Sequence, residues 1–341
     1  MNQLLTRDDF RRLVFERDGH KCVVCKKEAT AAHHIIERRL FDDEGYYASN
    51  GASLCDQCHI LAEQTVLTCE QIRKAAGIND IKLPENLYGD YACDKWGNSI
   101  LPNGMRVKGE LFFDESVQKI LEAGGVLKEF SEFVKYPRTY HCPWSLGITK
   151  DDRVHKEMSG FEKREIVVTE KVDGEGFSLY SDGLHARSID SRNHPSRNWL
   201  KNFHVRIKND IPKGWRICGE NLYASHSISY SSLPSYFLAF AIFDEKSHCL
   251  SWNSFTEWCE LLGLKTPTIL YKGVYDQVAI KSCWTGRSSF GGQQEGYVGR
   301  LAESFPFQSF KQSVFKFVRS GHVGTSNHWM YEKMYKNGLK A

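Results

Sequence analysis

The sequence predicts an α+β protein in two parts, a small cysteine-rich module followed by a larger mixed domain of strands and helices. Three observations predict this. Two Cys-x-x-Cys pairs thirty residues apart fall within the first 60 positions of the 341-residue chain. From Tyr136 onward, apolar runs and alternations such as 164–172 (REIVVTEKV), 176–189 (GFSLYSDGLHARSI) and 234–243 (PSYFLAFAIF) read as strands separated by turns. Two helical patterns, 196–210 and 251–264, interrupt those strands, and strands mixed with helices in one block suggest α+β.

Between these parts, residues 79–135 are expected to form a connector. Gly, Asn, Asp and Pro are frequent there, with Gly97-Asn98 and Asn103-Gly104 as hairpin candidates. A short helical pattern follows and breaks at Gly124-Gly125. The expected organisation is therefore 1–78, 79–135 and 136–341.

Composition bounds the class. A 41% hydrophobic and 26% charged chain is ordinary for a globular protein large enough to bury a core. The opening MNQLLTRDDFRR lacks the apolar centre of a signal peptide, and no run of 18 apolar residues reads as a membrane span. Eleven cysteines without a secretion signal suggest a reducing, cytoplasmic setting. There, paired Cys-x-x-Cys spacings read as metal ligands, and the remaining cysteines as small buried apolar residues. A net charge of +3 leaves any nucleic-acid partner to be argued from local clusters.

Cys22-x-x-Cys25 and Cys55-x-x-Cys58 supply four thiolates on two tight turns, the donor set of a tetrahedral zinc site. Between them lie His33-His34-Ile35-Ile36 and Asn50, and His59 follows Cys58. This arrangement resembles the HNH endonuclease family over about residues 8–75, and implies a zinc-bound ββα module. In that resemblance His34 is the general base that activates water, and Asn50 orients it by hydrogen bonding. His33 and His59 hold a catalytic divalent cation, with His33 where the family often carries Asp. The alternative is a zinc ribbon that binds nucleic acid without cutting it.

Farther along, Lys171-Val-Asp173-Gly174 follows the strand-like IVVTE. Then come Gly219-Glu220-Asn221, the apolar 237–243, Glu295-Gly296-Tyr297 and Lys316-Phe-Val-Arg319. This ordered series resembles the covalent nucleotidyltransferases, and within them the ATP-dependent RNA ligases, over about residues 135–330. It implies an ATP-grasp-like nucleotidyltransferase domain built on antiparallel sheets. Lys171 would attack the α-phosphorus of ATP, and its amine must be deprotonated to do so, which nearby cations and desolvation would favour. Glu220 would bind the ribose, and Phe240 would stack on adenine, with Phe237 and Phe243 as alternatives. Glu295 would hold Mg²⁺ or Mn²⁺, and Lys316 would contact the α-phosphate. Arg319 or Lys311 would supply a companion cation. Arg187 or Arg192 would touch the ribose or nucleic-acid phosphates, and Asp173 would orient the nucleophile beside Gly174.

Residues 191–208 and 306–341 are rich in Lys, Arg and His and nearly free of acids, as a phosphate-binding surface would be. About twenty residues follow Arg319. DNA ligases and capping enzymes append a further domain there, so RNA is the expected partner in preference to DNA. A DNA nick-sealing ligase with a nuclease, and a non-catalytic nucleic-acid-binding protein, are the alternatives.

Overall fold

A computed structural model describes residues 3–84, 87, 92–102, 104–130, 133–187, 194–321 and 334–340. The chain divides into two compact units, Met1–Glu132 and Phe133–Ala341.

The first unit opens with α1 (Arg7–Arg17). The Thr6 side chain accepts from the Asp9 N–H (3.2 Å), and Asp8 and Asp9 favour the positive end of the helix dipole. Its buried stripe is Phe10, Val14 and Phe15. Strands β1 (Ala31–His34) and β2 (Gly51–Leu54) pair antiparallel with His34 opposite Gly51. Helix α2 (Asp56–Glu63) follows β2 directly, so the order is ββα. A capping box of Thr68 and Gln71 starts α3 (Cys69–Ala75). Ile35, Ile36, Tyr47, Leu54, Ala62 and Ile72 fill the core.

Residues 92–130 belong to this unit. Strands β3 (Ala92–Cys93), β4 (Ser99–Ile100) and β5 (Arg106–Val107) form an antiparallel sheet. Gly97 sits at φ +81° in the first turn, where the Asp94 carboxylate accepts from the N–H groups of Trp96 and Asn98 (3.0 Å each). Of the second expected turn, Gly104 also adopts φ +81°, while Asn103 lies outside the described residues. Buried Arg106 answers Asp94 with an ion pair at 2.9 Å. Asp114 caps α4 (Glu115–Ala123), which ends at Gly124-Gly125.

Among the described residues, the second unit contains two sheets. Its strands are β6 (Tyr140–His141), β7 (Glu165–Lys171), β8 (Glu175–Leu179), β9 (Leu184–Ala186), β10 (Arg216–Asn221) and β11 (Phe237–Phe243). They continue with β12 (His248–Cys249), β13 (Ile269–Val274), β14 (Gly296–Leu301), β15 (Phe305–Pro306) and β16 (Val314–Val318). One sheet runs β15-β12-β11-β10-β8-β9 and is antiparallel throughout. The other runs β13-β7-β14-β16-β6, antiparallel except for the parallel β16–β6 pair. The fold class is therefore mixed α+β with antiparallel sheets.

Helices α5 (Asn198–Ile207) and α6 (Trp252–Leu261) cover one face of the first sheet. Phe177, Leu179, Ile217, Phe237 and Ala239 pack there against Leu200, Ile207, Trp252 and Phe255. Each fully buried side chain of this size contributes about 1.5–3 kcal/mol. Because side chains alternate along a strand, Gly176, Ser178, Cys218 and Glu220 are left for the opposite face. In the second sheet Lys171 pairs with Gly296, and Lys316 with Val298. The same alternation carries Thr169, Lys171, Val298 and Lys316 to one face.

Candidate active site and metal centres

The last residue of β7 is Lys171, and Glu295 immediately precedes β14. Their side chains meet at 2.7 Å, with the lysine ammonium donating to the carboxylate. Glu295 is 2% exposed, and the Lys171 side chain 25%. Burial pulls the Lys171 ammonium toward deprotonation, but Glu295, then Glu220, outweigh it and hold its pKa above the ordinary lysine value. This differs from the expectation of a depressed lysine: with Glu295 and Glu220 outweighing burial, Lys171 is held as a protonated counter-ion.

Glu220, on β10, is pushed up to about 8, chiefly by burial and against the pull of Lys171. Lys316 is lowered, first by burial and then by Lys171. The Arg187 charge is also felt at Lys316. Arg319 is placed differently. Its backbone N–H donates to the Glu295 carbonyl (3.0 Å) and its Nη1 to Ser320 (3.3 Å). Lys311 lies over the Tyr140 ring. Arg192 lies outside the described residues.

Asp173 faces the loop after β10. Its Oδ2 accepts from Ser227 Oγ (2.7 Å) and the Ile228 N–H (3.0 Å), and its own N–H donates to the Tyr230 hydroxyl (2.8 Å). Asp173 therefore fixes the turn beside Lys171 by fastening it to 227–230. Gly174 permits close packing, since a Cβ there would lie 2.6 Å from the Asn221 carbonyl oxygen. Among the three candidate stacking rings, Phe237 and Phe243 are fully buried, whereas Phe240 is half-buried. Phe240 lies where the β10–β11 register slips and meets Tyr136 edge-on at 4.9 Å.

Sequence reasoning missed three residues here. Asp152 reaches both His141 (3.3 Å) and Lys316 (3.6 Å), and nothing in its spacing announces that. Tyr230 and Asn337 act through the 222–230 loop. The basic stretch 191–208 is also partly internal. Arg197 pairs with Glu175, and His204 is buried with Nε2 at 2.6 Å from the Tyr180 carbonyl oxygen. Arg206 stays exposed and Lys201 half-buried.

In the first unit, Cys22, Cys25, Cys55 and Cys58 bring four sulfurs within 4.8 Å of one another. Cys25 and Cys55 are 3.5 Å apart. Burial would raise the Cys22 thiol, but N–H groups of Cys25, Cys55 and Val24 bring it down to about 7. Four convergent sulfurs, one already close to thiolate, fit a zinc ion.

A second group, His33, His59 and Glu63, also lies within 4.8 Å. Glu63 is a ligand candidate that the sequence reading missed, although it stands four residues after His59 on α2, on the same helix face. Its Oε1 is 3.4 Å from His33 Nδ1 and 3.3 Å from His59 Nε2. Burial lowers His33 to about 3 and His34 to about 4, so both rings are neutral at pH 7. Two imidazoles, His33 among them neutral, with a carboxylate fit a divalent cation. Buried His34 Nε2 has no hydrogen-bond partner among the described residues, and its ring stacks on Phe10 at 4.4 Å. Asn50 does not bond that ring, contrary to expectation. Its Oδ1 accepts from the Ile36 N–H (2.9 Å), and its Nδ2 donates to the carbonyls of Ile36 (3.0 Å) and Gly45 (3.2 Å). Asn50 thus pins the backbone that follows β1.

Comparison with known proteins bears on the second unit. Residues 164–318 match the RNA ligase family model. The matched segment contains Lys171, Asp173, Gly174, Arg187, Glu220, Phe240, Glu295 and Lys316, and ends one residue before Arg319. No curated protein matches the chain. Among solved structures, a mutant RNA ligase of Naegleria gruberi with ATP and Mn is similar at 17% identity and a TM-score of 0.36. The match covers 56% of this chain and 62% of that one, so this chain spans under two thirds of that relative's length. An apo mutant of the same ligase matches at 13% identity and TM-score 0.38, covering 93% and 81% of the two chains. A putative ATP-dependent DNA ligase from Aquifex aeolicus matches at 19% identity and TM-score 0.38, covering 56% and 51%. No helix among the described residues is long and apolar enough to cross a membrane.

Proposed function

We propose that this chain is an ATP-dependent RNA ligase that joins 5′-phosphate to 3′-hydroxyl ends through a Lys171–AMP intermediate. The observation that carries the reading is the Lys171–Glu295 contact at 2.7 Å, in a cluster whose charges include Glu220, Lys316 and Arg187. A nucleophilic amine, a carboxylate able to hold a cation and two phosphate-facing cations are what attack on a nucleoside triphosphate requires.

Glu295 would hold Mg²⁺ or Mn²⁺, which would supply charge neutralisation of the triphosphate. Glu295 engaged in this way would no longer serve Lys171 alone, and the Lys171 ammonium would give up its proton more easily. The free amine attacks the α-phosphorus and pyrophosphate leaves. Lys316 and Arg187 offset charge on the phosphoryl oxygens. Glu220 binds the ribose, and Phe240 presents the one candidate ring not fully buried. AMP then passes to a 5′-phosphate, and a 3′-hydroxyl displaces it.

The test is incubation with α-labelled ATP and a divalent cation, without nucleic acid, beside Lys171→Ala. A denaturation-resistant, Lys171-dependent AMP adduct is expected. An adduct from GTP alone would replace the reading with capping chemistry. Strand joining on DNA but not RNA would favour the nick-sealing alternative.

We read the first unit as a zinc-bound HNH module that acts on nucleic acid. His34 directly follows His33 of the His33–His59–Glu63 group on β1, and cleavage with His34 as base stands beside binding alone as the two readings. Metal-dependent nicking of single-stranded, duplex or structured substrates, lost in His34→Ala, is expected. Its absence on all of them would leave a binding module. A thiolate zinc site persists best under reducing conditions, which supports a cytoplasmic setting for the proposed activity.

A further inference from the structure

Lys95 is a charge in an unusual place. Its side chain is 4% exposed. Its ammonium donates to the His34 carbonyl (3.0 Å) and lies 3.3 Å from both Glu37 Oε2 and Glu63 Oε1. Its ammonium also lies over the Trp96 ring at 5.3 Å, and Trp96 Nε1 donates to the Glu63 carbonyl (2.8 Å). Lys95 is thus held from several sides against the carboxylate that completes the His33–His59–Glu63 group.

We propose that Lys95 is a positioning residue that keeps this group a weak divalent-cation site, filled together with a nucleic-acid phosphate rather than before it. The proposal rests on reading that group as a divalent-cation site. A cation held by His33, His59 and Glu63 would share Glu63 with the Lys95 ammonium. Two positive charges would then sit a few ångströms apart in a buried setting, where water screens them poorly. With three oxygen partners and a packed indole, Lys95 has no route to swing away. A phosphodiester brings the negative charge that offsets the repulsion, so metal and phosphate should load cooperatively. Lys95 also holds the chain at His34, so one side chain ties the base's backbone to the cation site.

The test uses the full, zinc-loaded chain and reads Mn²⁺ affinity by calorimetry or by the spin resonance of free Mn²⁺. Wild type, Lys95→Met, Lys95→Gln and His59→Ala are compared, with and without an oligonucleotide of non-cleavable phosphorothioate linkages. The expected result is Mn²⁺ binding roughly tenfold or more tighter in Lys95→Met and Lys95→Gln, with most of the oligonucleotide's enhancement lost. A merely structural role would weaken the site instead. Unchanged or weaker Mn²⁺ binding in whichever neutral variant keeps its zinc and its melting temperature would overturn the proposal alone. No His59-dependent Mn²⁺ binding in wild type, with or without oligonucleotide, would overturn the site reading and the proposal with it.

Discussion

Lys171 and Glu295 meet at 2.7 Å because the antiparallel register of β7 and β14 sets Lys171 opposite Gly296, the residue after Glu295. Two motifs more than a hundred residues apart thereby become one ion pair. The pairing holds Lys171 as an ammonium, and the proposed chemistry requires other charges to occupy its carboxylate first.

Glu295→Gln separates two effects of opposite sign. It removes the counter-ion that keeps Lys171 protonated, and it removes the carboxylate proposed to hold the divalent cation. The second should win, since losing one such electrostatic group typically costs about 100-fold or more in rate. Single-turnover labelling with α-labelled ATP should show that fall. A rate equal to wild type would take Glu295 out of the chemistry.

Glu220 makes stability pH-dependent. Its folded pKa, about 8, lies above the ordinary carboxyl value, so its protonated form favours the fold. That contribution is fully present below the unfolded pKa, near 4.5, and is lost as pH rises through about 8. Glu220→Gln, permanently neutral, should flatten the decline. Thermal melts of the nucleotide-free protein should show a variant that gains on wild type at pH 8 and little at pH 5.

Zinc should be part of the folding energy of the first unit. Cys22→Ser, or a strong chelator, should lower metal content and expose 3–78 to proteolysis. Adenylylation of Lys171, which draws on the second unit, should persist. Zinc content by mass spectrometry and limited digestion would check this, and a metal-free first unit that resists protease would contradict it.

Asn337 should matter beyond its distance from Lys171. Its Nδ2 donates to the Leu222 carbonyl (2.8 Å) and its Oδ1 accepts from the Tyr230 N–H (2.8 Å), on the loop that fastens Asp173. Asn337→Ala would leave buried backbone groups without partners, at about 1–3 kcal/mol. Denaturant unfolding should show that loss, and labelling should show slower Lys171 adenylylation in the folded variant.

The second unit was largely legible in sequence. The patterns 164–172 and 234–243 became β7 and β11, and 196–210 and 251–264 became α5 and α6. Their apolar periodicity is set by which face each element buries, and that survives in the sequence. The candidate site was legible as motifs, but not the exclusions within it. Phe237 and Phe243 stood as alternatives to Phe240 until the sheet assigned both to full burial. The basic run 191–208 read as one surface until Arg197 and His204 turned inward, each to a partner far away in sequence.

Sequence alone determined the residue types that chemistry demands: four cysteines at zinc spacing, the His-Asn-His series, and the ordered Lys, Glu, Glu and Lys of the second unit. These are local or one-dimensional signals, fixed by turn geometry and by order along the chain. The tertiary structure alone decided which charges face one another. It set Glu295 on Lys171, brought Asp152 to Lys316, added Glu63 to two histidines and buried Lys95 beside it. Ion-pair energies fall with distance and rise with burial, and strand register and packing, not spacing along the chain, set both.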